Sequence, residues 1–214
     1  MLAITLLVSA LLTYFTVKYS NRLDQILPSG SSLSYYGKEQ IFGYFWSFVL
    51  LDLPVFASVF FGSPAISSEI ENRTAFQIFP LPIGRTKLLL SKYLAAVAVT
   101  SICIFVYEAF QAAVFVYVFN SLIPAFYTDL LILAVFIFTI TSFTFLISGI
   151  FNRNTYAYIT VFLIYFLVFT AYEIIDEFLY RTTPYYLLNV AAGILERVYI
   201  NISPNPFSPT SALS

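Results

Sequence analysis

Apolar residues in this chain come in long unbroken runs, not at the period of a half-buried strand or of an amphipathic surface helix. Five runs approach or exceed the roughly 17 to 25 residues that a helix needs to cross a bilayer. They are Leu2 to Val17, Ile41 to Gly62, Tyr93 to Phe119, Leu130 to Phe151 and Thr155 to Tyr172. Lipid offers no partner to backbone N–H and C=O groups, so each run is predicted to be a helix. The third is the longest and should tilt or protrude. The first has neither a basic leader nor a small-residue cleavage site, and is read as a span, not as a secretory signal.

Between the runs lie Lys18 to Gln40, Ser63 to Lys92, the turn Asn120 to Asp129 and the short link Asn152 to Asn154. Short links make neighbouring helices antiparallel. The tail, Glu173 to Ser214, carries Leu187, Ala191, Ile194, Leu195, Val198 and Ile202 at helical spacing, which predicts an external amphipathic segment on the membrane surface. The expected fold is therefore all-α: one transmembrane domain over residues 1–214, a polytopic bundle of about five spans with a polar loop at 63–92 and a tail at 173–214.

Composition narrows the function. Charged residues make up 10% of the chain, against roughly 25% in soluble domains, so the surface must face lipid. A net charge of −1 gives no footprint for nucleic acid. The single cysteine, Cys103, cannot form an intrachain disulfide. Without histidine, zinc hydrolysis, haem ligation and imidazole acid–base catalysis are not expected, and the chain is read as a non-enzyme without a metal or cofactor of its own.

Lys and Arg divide evenly between the two sides: Arg73, Arg85, Lys87, Lys92 and Arg153 against Lys18, Arg22, Lys38, Arg181 and Arg197. The first set is more densely packed, which favours that side as cytoplasmic. Asp52 and Glu108 fall near the middle of the second and third runs. An acid facing lipid there costs a few kcal/mol, so both should face the bundle interior, a cavity or a partner. Gln111, three residues after Glu108, shares its face. Together these three are the candidate intramembrane polar residues. Pro54 should kink or open the second span, and Thr141, Thr144 and Ser148 form a small-residue face suited to helix packing.

Within the 63–92 loop, Ser68 followed by Glu71 resembles a capping box, and Pro80 and Pro82 would stop a helix. A short helix is expected over Ser68 to Phe79, exposing Glu69, Asn72, Arg73 and Gln77, with Ile70, Phe76 and Phe79 available for packing. Glu69 and Thr74, then Pro82, Ile83 and Arg85, then Lys92, occur in the order of a motif that follows the second span of type-2 ABC exporter permeases. The chain resembles that family here, and its run of spans fits five of the family's six. Where the family usually has Gly before the Thr, this chain has Arg73. The family's first elbow helix and last span are missing, which suggests an incomplete sequence.

The resemblance implies a permease whose short cytoplasmic helix docks a separate ATPase subunit, with Glu69, Glu71, Asn72, Arg73, Thr74, Phe76, Gln77 and Arg85 as candidate contacts. It implies a cell-membrane location, ABC ATPase subunits and a second permease copy or paralogue as partners besides membrane lipids, and ATP with Mg held by the partner. The chain itself has no Gly-x-x-x-x-Gly-Lys-Ser/Thr loop. Two other readings stand beside it: a proton-linked secondary transporter using Asp52 and Glu108, and a membrane scaffold that transports nothing. The transported substrate is not legible in the sequence.

Overall fold

A computed structural model of the chain describes residues 1–20, 22, 35–74, 84–180 and 187–201. Among these residues the secondary structure is helical throughout: α1 (Leu2–Tyr19), α2 (Tyr35–Gly62), α3 (Pro64–Glu71), α4 (Arg85–Phe119), α5 (Pro124–Ser148), α6 (Asn154–Phe162), a π-helix (Leu163–Phe169), α7 (Thr170–Tyr180) and α8 (Leu188–Asn201). Five segments are long and apolar enough to cross a membrane: Leu2–Tyr19, Gly37–Glu71, Thr86–Phe119, Pro124–Ser148 and Asn154–Asp176. The all-α transmembrane bundle expected from the hydropathy pattern is the observed architecture.

α2 is the centre of the bundle and touches α1, α3, α4, α5, α6 and α8. Its buried face, Phe42, Trp46, Leu50, Leu53 and Ala57, packs with Tyr107 and Phe115 of α4, Leu133 and Ile137 of α5 and Leu195 of α8. Leucines and phenylalanines on the outer faces stay exposed, among them Leu7, Leu11, Leu131 and Phe178, as a lipid-facing surface requires. α1 packs mainly on α4 and buries small polar residues, Thr5, Ser9 and Thr16. The Thr5 and Ser9 hydroxyls donate to the carbonyls of Leu2 and Thr5 at 2.8 and 2.6 Å, so neither stays unpaired in hydrocarbon. Thr16 accepts from Trp46 Nε1 at 3.1 Å.

Several local expectations change. α2 runs on through Pro54 as one helix of 28 residues, with no break at the proline. α4, at 35 residues, would measure about 52 Å, well beyond a hydrocarbon core of about 30 Å. It therefore protrudes, as its apolar length suggested. The turn after it is confined to residues 120–123: Asn120 closes α4 in the left-handed region (φ 56°) and Pro124 opens α5 at its first turn. Asp129, expected in that turn, is thus inside α5 and buried. The fifth span extends to Asp176, so Glu173, expected to open the external tail, belongs to helix α7.

The tail helix forms as α8, but its apolar side meets protein. Val190, Ala192, Leu195 and Tyr199 are buried, and α8 packs on α2 and α5. Of the stripe expected on the membrane surface, Leu195 is buried and Leu187, Ile194 and Val198 are half-buried, while Tyr199 comes from outside it. The structure buries its ring against Gly43, where the absence of a side chain makes the room. Gly62 does the same for Thr144 of α5.

Gly43→Ala should overlap the Tyr199 ring and lower the stability of the detergent-solubilised protein by about 1 to 3 kcal/mol, the usual cost of overpacking. Thermal unfolding reads this as an earlier midpoint. In a Tyr199→Ala background most of that loss should vanish; an equal loss in both backgrounds would place the clash elsewhere. Arg73 sits at φ 59°, a conformation that glycine adopts without strain. Arg73→Gly should therefore raise stability by about 0.5 to 1 kcal/mol in the same assay, and an earlier midpoint would contradict the strain argument.

Candidate functional site

The loop after α2 begins its helix four residues earlier than its capping pattern suggests. Ser63 is the N-cap and Pro64 the first helical residue of α3, because a proline at this position brings a pre-set φ and has no N–H to leave unpaired. Ser68 lies inside the helix and donates its hydroxyl to the Pro64 carbonyl, so Ser68 and Glu71 form no capping box. The helix ends at Glu71, followed by a turn through Asn72, Arg73 and Thr74. Phe76, Gln77 and Phe79, with the prolines at 80 and 82, lie outside the described residues. Of Arg85 only the backbone, which opens α4, is described.

Three spans hold α3. Its first-turn amides lack partners within the helix, and Ser148 at the end of α5 supplies one: Oγ accepts from Ile66 N at 3.3 Å and Ser67 N at 3.1 Å, while its proton goes to the Ser63 carbonyl. From α4, Lys92 Nζ forms an ion pair with Glu69 and donates to the Ala65 carbonyl at 3.2 Å. From α6, Asn154 N donates to Glu71 Oε2 at 3.0 Å, and Asn154 Oδ1 accepts from the Ser67 hydroxyl. Glu71 thereby places its negative charge at the N-terminus of α6, where the helix dipole favours it.

The candidate docking residues divide accordingly. Glu69 was expected on the outward face; it is half-buried and faces Lys92. Glu71, Asn72, Arg73 and Thr74 are exposed. The Thr74 hydroxyl donates back to the Glu69 carbonyl at 3.3 Å, tying the turn to the end of α3. Glu69, Thr74 and Lys92, residues of the motif noted in the sequence, thus meet in space as one local structure. Thr141 and Thr144 serve packing: Thr141 shares a hydrogen bond with Ser58 of α2 at 3.1 Å, and Thr144 fills the space beside Gly62.

Toward the other end of the bundle a polar cluster is sealed between helices. Glu108 and Gln111 share the buried face of α4 that their spacing predicts. Asp129 of α5, absent from the sequence-based candidates, acts electrostatically on Glu108 and accepts from Ser47 Oγ at 3.3 Å. Tyr199 of α8 accepts from Gln111 Nε2 at 3.0 Å and donates to Asp129. Burial, together with the facing carboxylates of Asp129 and Glu108, pushes the Tyr199 phenol up, so it remains a neutral donor. Both carboxylate oxygens of Glu108, Oε1 of Gln111 and Oδ1 of Asp129 are buried without a hydrogen-bond partner among the described residues. Pro124, read as the first residue of a helix, was the signal that could have placed Asp129 inside α5.

Asp52 has other surroundings. It is exposed on α2 and lines a cavity with Tyr165, Thr170, Glu173 and Asn189. The structure therefore places Asp52 and Glu108 in different environments. Among the described residues no cluster of three or more His, Cys, Asp or Glu converges to hold a metal ion.

The sequence model of a family described as ABC-2 family transporter protein matches residues 3–189, most of the chain and all five spans. No curated protein and no solved structure matches the chain. The family is one of permease domains, distinct from nucleotide-binding domains, and its members normally pair with an ABC ATPase. With five apolar helices and a match of this extent, the chain belongs to the ABC-2 transporter family and is a multi-pass membrane permease of an ABC transporter.

Proposed function

We propose that this chain is the transmembrane subunit of an ATP-driven exporter in the cell membrane, working beside a second permease copy or paralogue. Two separate ATPase subunits, holding ATP and Mg, dock on the cytoplasmic end that carries α3. The observation that carries this reading is the attachment of α3 at both of its ends and along its side: Ser148, Lys92 and Asn154 hold it to α5, α4 and α6. A helix held by three spans passes an applied displacement to all of them, because packed interfaces are not freely deformable. Asn72, Arg73 and Thr74 stay exposed beside it for a partner to grip. Transport runs from this end toward the one that holds α8.

Reconstitution with the ATPase tests the docking face. Alanine at Asn72, Arg73 and Thr74 together should leave the permease folded but lower co-purification of the ATPase and ATP-driven efflux by about tenfold, the effect of losing a few exposed interface contacts. Normal coupling would sink the docking assignment. Efflux driven by a pH gradient without ATP, and lost in Asp52→Asn, would favour the proton-linked reading instead.

The Glu69–Lys92 pair makes a second, separable prediction. Glu69→Gln should retain the bound ATPase yet reduce the substrate moved per ATP hydrolysed by about fivefold, corresponding to about 1 kcal/mol for a partly screened ion pair. The charge swap Glu69→Lys with Lys92→Glu should recover part of it. Unchanged coupling in Glu69→Gln would show that Lys92 holds α3 through the Ala65 carbonyl alone.

A further inference from the structure

Asp52 faces a cavity of about 290 Å³ enclosed by α2, the π-helix, α7 and α8. Glu173 also lines it, and among the described residues no lysine or arginine does. Tyr165 lines the same cavity as both carboxylates. Asn189 Nδ2 donates to Glu173 Oε2 at 2.7 Å and fixes that carboxylate. The amide's own Oδ1 is sealed from solvent and has no donor among the described residues. Asp52 has no hydrogen-bond or ion-pair partner among the described residues.

Two aromatic rings complete the wall. Tyr165 and Phe166 belong to the π-helix, where the helical register changes and redirects side chains relative to a straight α-helix, a device concentrated at functional sites. Their rings meet edge to face at 5.0 Å. Asp52, Phe166 and Thr170 are exposed at the open side of the cavity.

This chemistry selects one class of occupant. An anion would be repelled by two carboxylates. A wholly apolar molecule would desolvate both acids without pairing either of them. A bare divalent ion would find two carboxylates where hard cations gather six or more oxygens, and would leave the aromatic wall unused. An ammonium group on a small apolar body meets both demands: ion pairing to the acids, and aromatic faces for the cation and its hydrocarbon.

We propose that this cavity binds an alkylammonium cation, Asp52 and Glu173 taking the charge and Tyr165 with Phe166 holding the apolar body. The inference rests on the exporter reading and names the substrate class that the permease selects. The cation can come from a free amine or from the headgroup of a lipid.

The test uses the full chain purified in uncharged detergent, with no ATPase present. Calorimetry should detect binding of 2-phenylethylammonium and at least about tenfold weaker binding of its uncharged isostere propylbenzene. Asp52→Asn and Glu173→Gln should each weaken the cation about tenfold and leave propylbenzene unchanged, while Asp52→Glu restores the preference. Glu173→Gln still accepts from Asn189, so it serves as the second variant should Asp52→Asn fold poorly. Displacement of the bound amine by phosphatidylethanolamine but not by phosphatidylglycerol would assign the lipid source. Displacement by neither would assign a free amine. Equal affinity for cation and isostere, equal displacement by both lipids, or unchanged affinity in both acid variants would overturn the proposal. Binding needs no nucleotide, so failure of ATP coupling with intact binding would count against the exporter reading alone. Intact coupling without cation preference would count against this site alone.

Discussion

One hydroxyl at the end of α5 decides where the polar loop of this protein can sit. The first amides of α3 have no partner in their own helix, and a buried donor left unpaired costs about 1 to 3 kcal/mol. Ser148 accepts from two of these N–H groups and returns its proton to the Ser63 carbonyl. That geometry requires α2 to come close to α5, which Gly62 permits beside Thr144. The register of α2 on α5, set by Ser58 with Thr141, therefore carries through to the placement of α3. Lys92 and Asn154 can reach the helix only once it lies there.

The opposite end follows the same rule with different groups. The Glu39 carboxylate accepts from Ile123 N and the Ser121 hydroxyl, both at 2.9 Å, so an acid from α2 organises the turn between α4 and α5. Tyr199 links α8 to Gln111 and Asp129. Glu108 has no such donor among the described residues. Buried polar groups in a membrane bundle are in general paired or functional, and Glu108, with both oxygens unpaired, is one of the places where the described residues leave that requirement unmet.

Sequence alone revealed most of the bundle, because runs of twenty apolar residues have one stable solution in lipid. It revealed less wherever two local signals competed. Ser68 with Glu71 looked like a capping box, yet Pro64 fixed the helix start four residues earlier. Asp129 looked like a turn residue, yet Pro124 had already begun α5. The tail stripe looked like a surface helix, and only the gap at Gly43, distant in sequence, shows that the Tyr199 ring is internal. The pairing of Glu69 with Lys92 is likewise a fact of tertiary structure, since no periodicity relates residues on two different helices. Asp52 and Glu108 were legible as anomalous, because a charge in an apolar run stands out. Their different surroundings were not, because facing depends on how the helices pack.

The helix joining the two ends is α2, and its composition bears on how they can communicate. It meets α5 at Gly62 and α8 at Gly43, two contacts so close that a single methyl group would not fit. Between them its buried face is formed by Trp46, Leu50 and Leu53, packed into one core cluster with α4, α5 and α8. α3 follows directly on α2, and Asp52 lies on α2 between the two glycines. A displacement of α3 therefore reaches the wall of the Asp52 cavity by moving α2 as a body, not by bending it. The opposing wall belongs to the π-helix and α7, and it is tied to the same core: Phe166 packs on Phe56 of α2 at 5.9 Å and Phe169 on Phe143 of α5 at 5.8 Å. A change in the distance between Asp52 and Glu173 therefore requires these ring contacts to slide, which couples the cavity to the packing of α2 on α5.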